Sequence, residues 1–171
     1  MNKIFIVSSV NNLTQAKEVA DYISETFEMT IASRFSNDTS IEDTTYMPTE
    51  DIMVAYKNNA LLYSQSLSPS SFTGISFDEY YNNDILIIPI NGFINISESI
   101  FDEDSLVIWL DCPKQVADIK EVKNASYIID IIENVKYLYF NESNSIVICS
   151  VLNKYFNGSE SDKANILEEN S

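Results

Sequence analysis

The 171-residue sequence contains no histidine, three glycines, two cysteines and a single arginine, Arg34. Without histidine, neither a Ser–His nor a Cys–His catalytic pair can form. Cys112 and Cys149 lie far apart in the sequence and have no histidine partners, so they indicate neither a zinc site nor a redox pair. We therefore expect buried free thiols, no metal and no cofactor.

Long apolar runs are also missing. No stretch approaches the roughly 20 uncharged apolar residues of a membrane-spanning helix, and the first apolar run is much shorter than that of a secretory signal. We expect a cytoplasmic protein that does not bind membranes. With 45% apolar residues, the chain is long enough to bury a core. We predict a single acidic domain at residues 1–156 and a flexible tail at 157–171.

Positive charge is scarce. The chain has 26 acidic and 10 basic residues, for a net charge of −16. Residues 37–113 contain 13 of the acids and one base, Lys57, so this segment carries most of the excess. Such a surface repels nucleic acid and anionic membranes and attracts basic partners.

Apolar strands alternate with helical segments along the chain. Residues 3–9 predict a first strand, followed by a helix through about Thr26 with apolar residues at i, i+3 and i+4 spacing. The continuous apolar runs at 84–90 and 105–112 are typical of strands that are covered on both faces. The pattern predicts an α/β fold with a mainly parallel sheet flanked by helices.

The other segments carry weaker patterns. They are predicted as a polar loop (36–50), a hairpin around the turn at 57–59 (51–66), a helix opened by Pro113 (113–124), an amphipathic helix (125–140) and a closing strand with at most a turn of helix (145–156).

The order of these segments resembles that of the P-loop nucleoside monophosphate kinases, and in particular the guanylate kinase-like branch. The stretch "KIFIVSSVNNLTQAKEVADYI" stands where the family has its first strand, phosphate loop and first helix. "MTIASRFSNDTS" is similar to the family segment that grips the nucleoside monophosphate, and "SLVIWLDCPKQVADIK" to the strand and helix that precede the kinase lid. The resemblance implies the kinase fold over residues 3–150.

The residues that carry the family's chemistry are missing. The family loop G-x-x-x-x-G-K-[ST] supplies backbone amides and a lysine to the phosphates, whereas the corresponding stretch "SSVNNLTQ" has neither glycine nor lysine. Of the arginines that neutralise charge during phosphoryl transfer, only Arg34 remains. We therefore expect a degenerate phosphate loop and no enzymatic activity. A vestigial ligand site would use Ser8, Ser9, Thr14 and Arg34.

One function open to such a protein is inhibition by charge mimicry. Its acidic surface would imitate DNA and block the DNA-binding surface of a polymerase, a nuclease or a sliding clamp. The partner would be a basic protein of a host replication, transcription or defence system. The protein itself would not bind nucleic acid, and its composition suits a phage-encoded protein. The predicted contacts are Glu42, Asp43, Glu50, Asp51, Asp78, Glu79, Asp84, Asp102, Glu103 and Asp104.

Two other functions are open. A nucleotide-binding pseudokinase regulator would hold phosphate or base with Arg34, Tyr63, Thr73 and Ser76. A general protein-interaction domain would use its acids and its many aromatic residues without imitating DNA. A homodimer would double the charged face and suits the inhibitor, but no heptad or interface stripe in the sequence supports it.

Overall fold

The computed structural model describes residues 2–110 and 135–170, which form two four-stranded sheets and six α-helices. The strands are β1 (Ile4–Ser8), β2 (Arg34–Ser36), β3 (Thr44–Tyr46), β4 (Leu61–Ser68), β5 (Ser71–Ser76), β6 (Ile85–Pro89), β7 (Leu106–Leu110) and β8 (Lys136–Phe140). The helices are α1 (Leu13–Phe27), α2 (Thr49–Lys57), α3 (Phe77–Asn82), α4 (Ile90–Phe93), α5 (Ser145–Asn157) and α6 (Glu160–Glu169). Within the two described ranges, no helix is long and apolar enough to cross a membrane.

The first sheet is entirely parallel and has the strand order β6-β1-β7-β8. Its second strand, β1, is buried on both faces because side chains alternate along a strand. Ile4 and Ile6 join an apolar cluster with residues of α1 and α5, whereas Phe5 and Val7 join the cluster on the opposite face. This arrangement confirms the predicted α/β fold with a mainly parallel sheet flanked by helices.

The second sheet is mixed and was not predicted from the sequence. Its order is β3-β2-β5-β4, with β2 and β3 parallel and the other pairs antiparallel. It meets the first sheet where Tyr63 of β4 packs on Gly92 of α4, immediately after β6. A Cβ added at Gly92 would lie 2.4 Å from Cε2 of Tyr63, so a larger residue does not fit. The second sheet therefore lies close to the carboxyl ends of the parallel strands.

The hairpin predicted for residues 51–66 is wrong in its first half, because Thr49–Lys57 form the helix α2. Pro48 precedes the helix, Glu50 and Asp51 lie in its first turn, and Lys57 lies in its last turn. Acids at the start and a base at the end both favour a helix through its dipole. The polar loop predicted at 36–50 also contains a short strand, β3.

Two assignments near the C-terminus are also corrected. Residues 145–157 form α5 rather than a strand; its buried side chains, Ile148, Leu152 and Tyr155, follow helical spacing. The end of the helix predicted for 125–140 is instead strand β8, which pairs in parallel with β7. Residues 125–134, and the helix predicted for 113–124, lie outside the described residues.

The flexible tail predicted for residues 157–171 is replaced by helix α6 over Glu160–Glu169. Ser159 and Asp162 form a reciprocal capping box at its start. The side chains of Ile166 and Leu167 pack against the apolar cluster that contains Tyr155. The polar composition of the segment hid these two anchors, which is why the sequence indicated a loose tail.

Replacing Ile166 by aspartate tests whether α6 stabilises the fold. Ile166 is half-buried against the core, whereas its neighbour Asn165 is exposed. We expect I166D to lower the free energy of unfolding by about 1–3 kcal/mol, because a charge would replace a packed apolar group. N165D should leave it unchanged. Thermal denaturation followed by circular dichroism measures both, and equal melting temperatures would contradict the packing of α6.

Candidate functional site

The chain between β1 and α1 contains the stretch in which the sequence predicted a degenerate phosphate loop. It forms a tight 3-10 turn at Val10–Asn12, in which the Asn12 amide donates to the Ser9 carbonyl at 3.0 Å. Among the described residues, positive φ angles occur only at Glu28, Asp43 and Asn59, so this turn uses ordinary backbone conformations. It has none of the left-handed positions that help to form an anion-binding backbone concavity.

Two of the four residues predicted for a vestigial site are buried in this turn. Ser8 and Ser9 are 0% and 5% exposed, and the Ser8 hydroxyl donates to the Ser9 carbonyl at 3.1 Å. The Ser9 hydroxyl and the Asn12 side-chain nitrogen are buried without a hydrogen-bond partner. A buried polar atom without a partner costs about 1–3 kcal/mol. The turn is therefore polar inside, but neither serine borders the large cavity described next.

The other two residues, Thr14 and Arg34, border the same cavity of about 500 Å³. It lies between the start of α1, strand β6 and the segment around β2. Arg34 is only 8% exposed, and its guanidinium has neither a hydrogen bond nor an ion pair within the described ranges. The Arg34 nitrogens are not among the fully buried polar atoms without a partner, so the guanidinium is open to the cavity and placed to hold an anion there.

The residues predicted to hold a nucleotide beside Arg34 have different roles. Thr73 donates to the Phe35 carbonyl at 2.8 Å, and the Ser76 hydroxyl accepts from the Glu79 amide at 3.2 Å, capping α3. Both hydroxyls thus stabilise the second sheet and its connection to α3. Tyr63 is 3% exposed, and its hydroxyl has no partner. Burial raises the pKa of Tyr63, and the charge of Arg34 partly opposes that shift.

The sequence reasoning missed two further buried polar groups. The side-chain oxygen of Gln65 and the indole nitrogen of Trp109 are buried without hydrogen-bond partners. Gln65 lies two residues after Tyr63 on β4, so the two side chains point to the same face of the strand. That spacing is a signal visible in the sequence once β4 is known to be a strand. Trp109 lies in a run that is apolar throughout and offers no comparable signal.

Six of the ten acids predicted to contact a partner gather near the amino ends of β6 and β7. They are Asp78, Glu79, Asp84, Asp102, Glu103 and Asp104. Helix α3 and the segment before β7 are neighbours there. The pKa of Tyr80 in α3 is raised by burial and by the charge of Asp102 in that segment, which shows that the two are close. Lys3, buried at the same end of β1, donates to the carbonyls of Tyr80 and Asn83. We call these six acids the amino-end acids.

Three of the amino-end acids also bind backbone. Glu79 accepts from the Ser33 amide at 2.8 Å, and Asp84 accepts from the Thr30 amide at 2.9 Å. Asp102 accepts from the Asp104 amide at 2.9 Å in a tight turn. None of the ten predicted contact acids has an ion-pair partner in the part of the chain that the structure describes. Two of them nonetheless act on a nearby base: the charge of Asp84 opposes the burial that lowers the pKa of Lys3, and Asp43 adds to the effect of Asp21 in raising the pKa of Lys17.

The remaining four acids belong to the second sheet and its connections. Glu42 and Asp43 border the cavity that contains Arg34, and Glu50 and Asp51 begin α2. A smaller cavity of about 170 Å³ is bordered by both Arg34 and Glu79. The two groups of acids are thus linked through the surroundings of Arg34. The described residues contain no group of three or more side chains suited to hold a metal ion.

Comparison with known proteins finds a solved structure with a similar fold. No protein-family model and no curated protein sequence matches the chain. Among solved structures, the chain is similar to a guanylate kinase from Anaplasma phagocytophilum, with a TM-score of 0.58 and 15% sequence identity. The match covers 92% of this chain and 88% of that one. At this identity the likeness shows a guanylate kinase-like fold, which confirms the fold implied by the sequence resemblance.

The unpaired hydroxyl of Tyr63 predicts an unusual response to substitution. Y63F removes a buried polar group without a partner, so we expect the free energy of unfolding to stay unchanged or rise by about 1 kcal/mol. The raised pKa also means that the unfolded chain loses the phenol proton before the folded chain does. Tyr63 therefore lowers stability as the pH rises above the usual tyrosine pKa of about 10.

Chemical denaturation of wild type and Y63F at neutral pH and near pH 10.5 measures both effects. The loss of stability between the two pH values should be smaller in Y63F. Y81F is the matched control, because Tyr81 is 64% exposed. If Y63F loses as much stability as the wild type, the pKa shift of Tyr63 is not the cause.

Proposed function

We propose that the protein is a non-catalytic acidic inhibitor that acts in the cytoplasm. It binds a basic, nucleic-acid-handling protein, such as a polymerase, a nuclease or a sliding clamp, and occupies its DNA-binding surface. The observation that carries the proposal is the gathering of the amino-end acids at one end of the parallel sheet, where none of them forms an ion pair within the described ranges. The one base whose pKa their charge affects there is Lys3, beside Asp84. A carboxylate that is not neutralised by its own chain is free to pair with a partner's lysine or arginine.

The spacing of these acids supports imitation of DNA. Strands β6 and β7 lie on either side of β1, and neighbouring strands are about 4.8 Å apart, so the segments that carry these acids into β6 and β7 enter the sheet about 10 Å apart. Duplex DNA carries one charge per about 1.7 Å of its axis, or about six charges over the same distance. A basic groove that holds DNA could therefore meet a similar charge density here.

Exposed aromatic residues supply a second kind of contact. Tyr81 is 64% exposed and stacks on Phe77 with a ring separation of 5.9 Å, on the same helix as Asp78 and Glu79. An ordered, exposed tyrosine can bury its ring in an interface while keeping its hydroxyl bonded. Such a contact would add affinity that salt does not screen.

The same proposal holds that the protein is not an enzyme. The stretch between β1 and α1 contains no glycine and no lysine, and Arg34 is the single arginine of the chain. Phosphoryl transfer depends on such cationic and backbone groups to stabilise developing charge. We propose a nucleoside monophosphate kinase frame that has lost its transfer chemistry, encoded by a phage, with a host protein as its target and no nucleic acid bound directly.

The charge variant D78N/E103Q/D104N tests the proposal. These three exposed side chains make no hydrogen bond within the described residues, so neutralising them removes charge without removing a structural contact. We expect the wild type to retain a nucleic-acid-handling protein from a native-host lysate at low salt and to release it as salt or duplex DNA is added. The triple variant should retain at least about tenfold less of that protein.

The control for this experiment is E25Q/E28Q/E169Q, which removes three exposed carboxylates outside the ten predicted contacts. It has the same net charge as the test variant, so a loss confined to the test variant locates the contact. If duplex DNA does not displace the retained protein, or if both variants lose binding equally, charge mimicry is wrong. A partner that is retained regardless of DNA would instead indicate a general protein-interaction domain.

A second function is favoured by the surroundings of Arg34. Arg34, which is 8% exposed and unpaired within the described ranges, borders a cavity of about 500 Å³. Its charge also acts on the pKa of the buried Tyr63 hydroxyl. A monophosphate bound in this cavity would give Arg34 a partner. We therefore propose a nucleotide-binding regulator as the second function, which the following experiment separates from the first.

Thermal denaturation with and without GMP or dGMP tests this second function. Bound nucleotide should raise the melting temperature, and R34A should abolish that rise, because it removes the cation that would hold the phosphate. K154A, which removes an exposed base on α5, should keep the rise. If neither nucleotide shifts the wild type, the regulator is excluded.

A further inference from the structure

Helix α2 turns an apolar stripe toward solvent. Of its nine residues only Ile52 is buried, while Met53 is 48% and Val54 57% exposed. At 100° per residue, Met53 and Val54 share the side opposite Ile52 with Glu50 and Lys57. These four residues, at i, i+3, i+4 and i+7, form what we call the α2 stripe. A surface helix ordinarily buries its apolar side chains, so the stripe lacks a partner.

The ends of the α2 stripe carry opposite charges. Glu50 lies in the first turn of the helix and Lys57 in the last, and both are exposed. Lys57 is the one base among residues 37–113. Neither residue has an ion-pair partner within the described ranges. Because seven residues separate them, about 10.5 Å along the helix axis, they cannot neutralise each other directly.

We propose that the α2 stripe binds the α2 stripe of a second copy, with the two helices antiparallel across a two-fold axis. An axis midway between Met53 and Val54 places each Glu50 against the Lys57 of the other copy. It also places each Met53 against the other copy's Val54. The stripe is thus complementary to itself, as a two-fold interface requires: its acid faces a base, and its apolar residues face apolar residues.

The net charge of the whole chain opposes the binding of a second copy. Two molecules that each carry −16 repel each other, so their contact must avoid opposing acids. The α2 stripe avoids this, since its acid faces a base. A nine-residue helix is only about 13.5 Å long, so the interface is small and we expect a weak dimer that forms in the micromolar range.

Such a dimer goes beyond the proposed function, because it does not involve the amino-end acids. It would give one particle two sets of them and allow bivalent binding to a partner with more than one basic surface. Dimerisation and partner binding can fail independently. D78N/E103Q/D104N should leave the dimer intact.

Sedimentation velocity over the micromolar range tests the inference with two charge reversals. The wild type should dimerise as concentration rises. E50K makes both ends of its stripe basic and K57E makes both acidic, so each variant alone should dimerise about tenfold more weakly or not at all. Mixed in equal amounts, E50K and K57E should form a heterodimer, because basic ends then face acidic ends. K154E, a charge reversal on α5, should dimerise like the wild type.

The mixing step separates the interface from misfolding, since two misfolded variants would not restore each other's association. V54D supplies a second check: it should abolish the dimer while circular dichroism shows unchanged helix content. A wild type that stays monomeric throughout the micromolar range would overturn the inference. So would single reversals that dimerise normally, or a mixture that associates no better than either variant alone.

Discussion

The contact between Tyr63 and Gly92 determines how the two sheets meet. Because any side chain at position 92 would overlap the Tyr63 ring, glycine permits β4 to lie against the carboxyl end of the parallel sheet. The segment around β2 is held in place through the pairing of β2 with β5 and of β5 with β4. The cavity beside Arg34 lies between that segment and the start of α1, so its shape depends on this packing.

The sequence was sufficient for the parallel sheet and insufficient for much of the rest, for physical reasons. Runs such as Leu106–Leu110 are apolar at every position, which only burial on both faces explains. In α2, by contrast, the apolar residues Met53 and Val54 face solvent. Their apolar character led to the prediction of a strand, whereas the charges at the two ends of the segment favour a helix. The anchoring of α6 by Ile166 and Leu167 depends on distant partners that no local pattern reveals.

The candidate site was predictable to a similar extent. Arg34 was singled out because it is the one arginine of the chain, and the structure places it in a cavity with Thr14. Thr73 and Ser76 were reasonable candidates by residue type, but their hydroxyls bind backbone groups of the fold. The unpaired oxygen of Gln65 and nitrogen of Trp109 could not be foreseen, since whether a buried polar group finds a partner depends on tertiary packing.

The two proposed functions share part of their surroundings, because Glu79, one of the amino-end acids, borders a cavity together with Arg34. Most of the amino-end acids lie before β6 and β7, whereas the turn after β1 lies at the opposite end of the sheet. Five-residue strands separate these ends by about 17 Å, more than a Debye length at physiological salt. An anion beside Arg34 would lie in a cavity that Glu42 and Asp43 also border. Their repulsion favours ligands whose phosphate is accompanied by hydrogen-bonding groups over a bare anion.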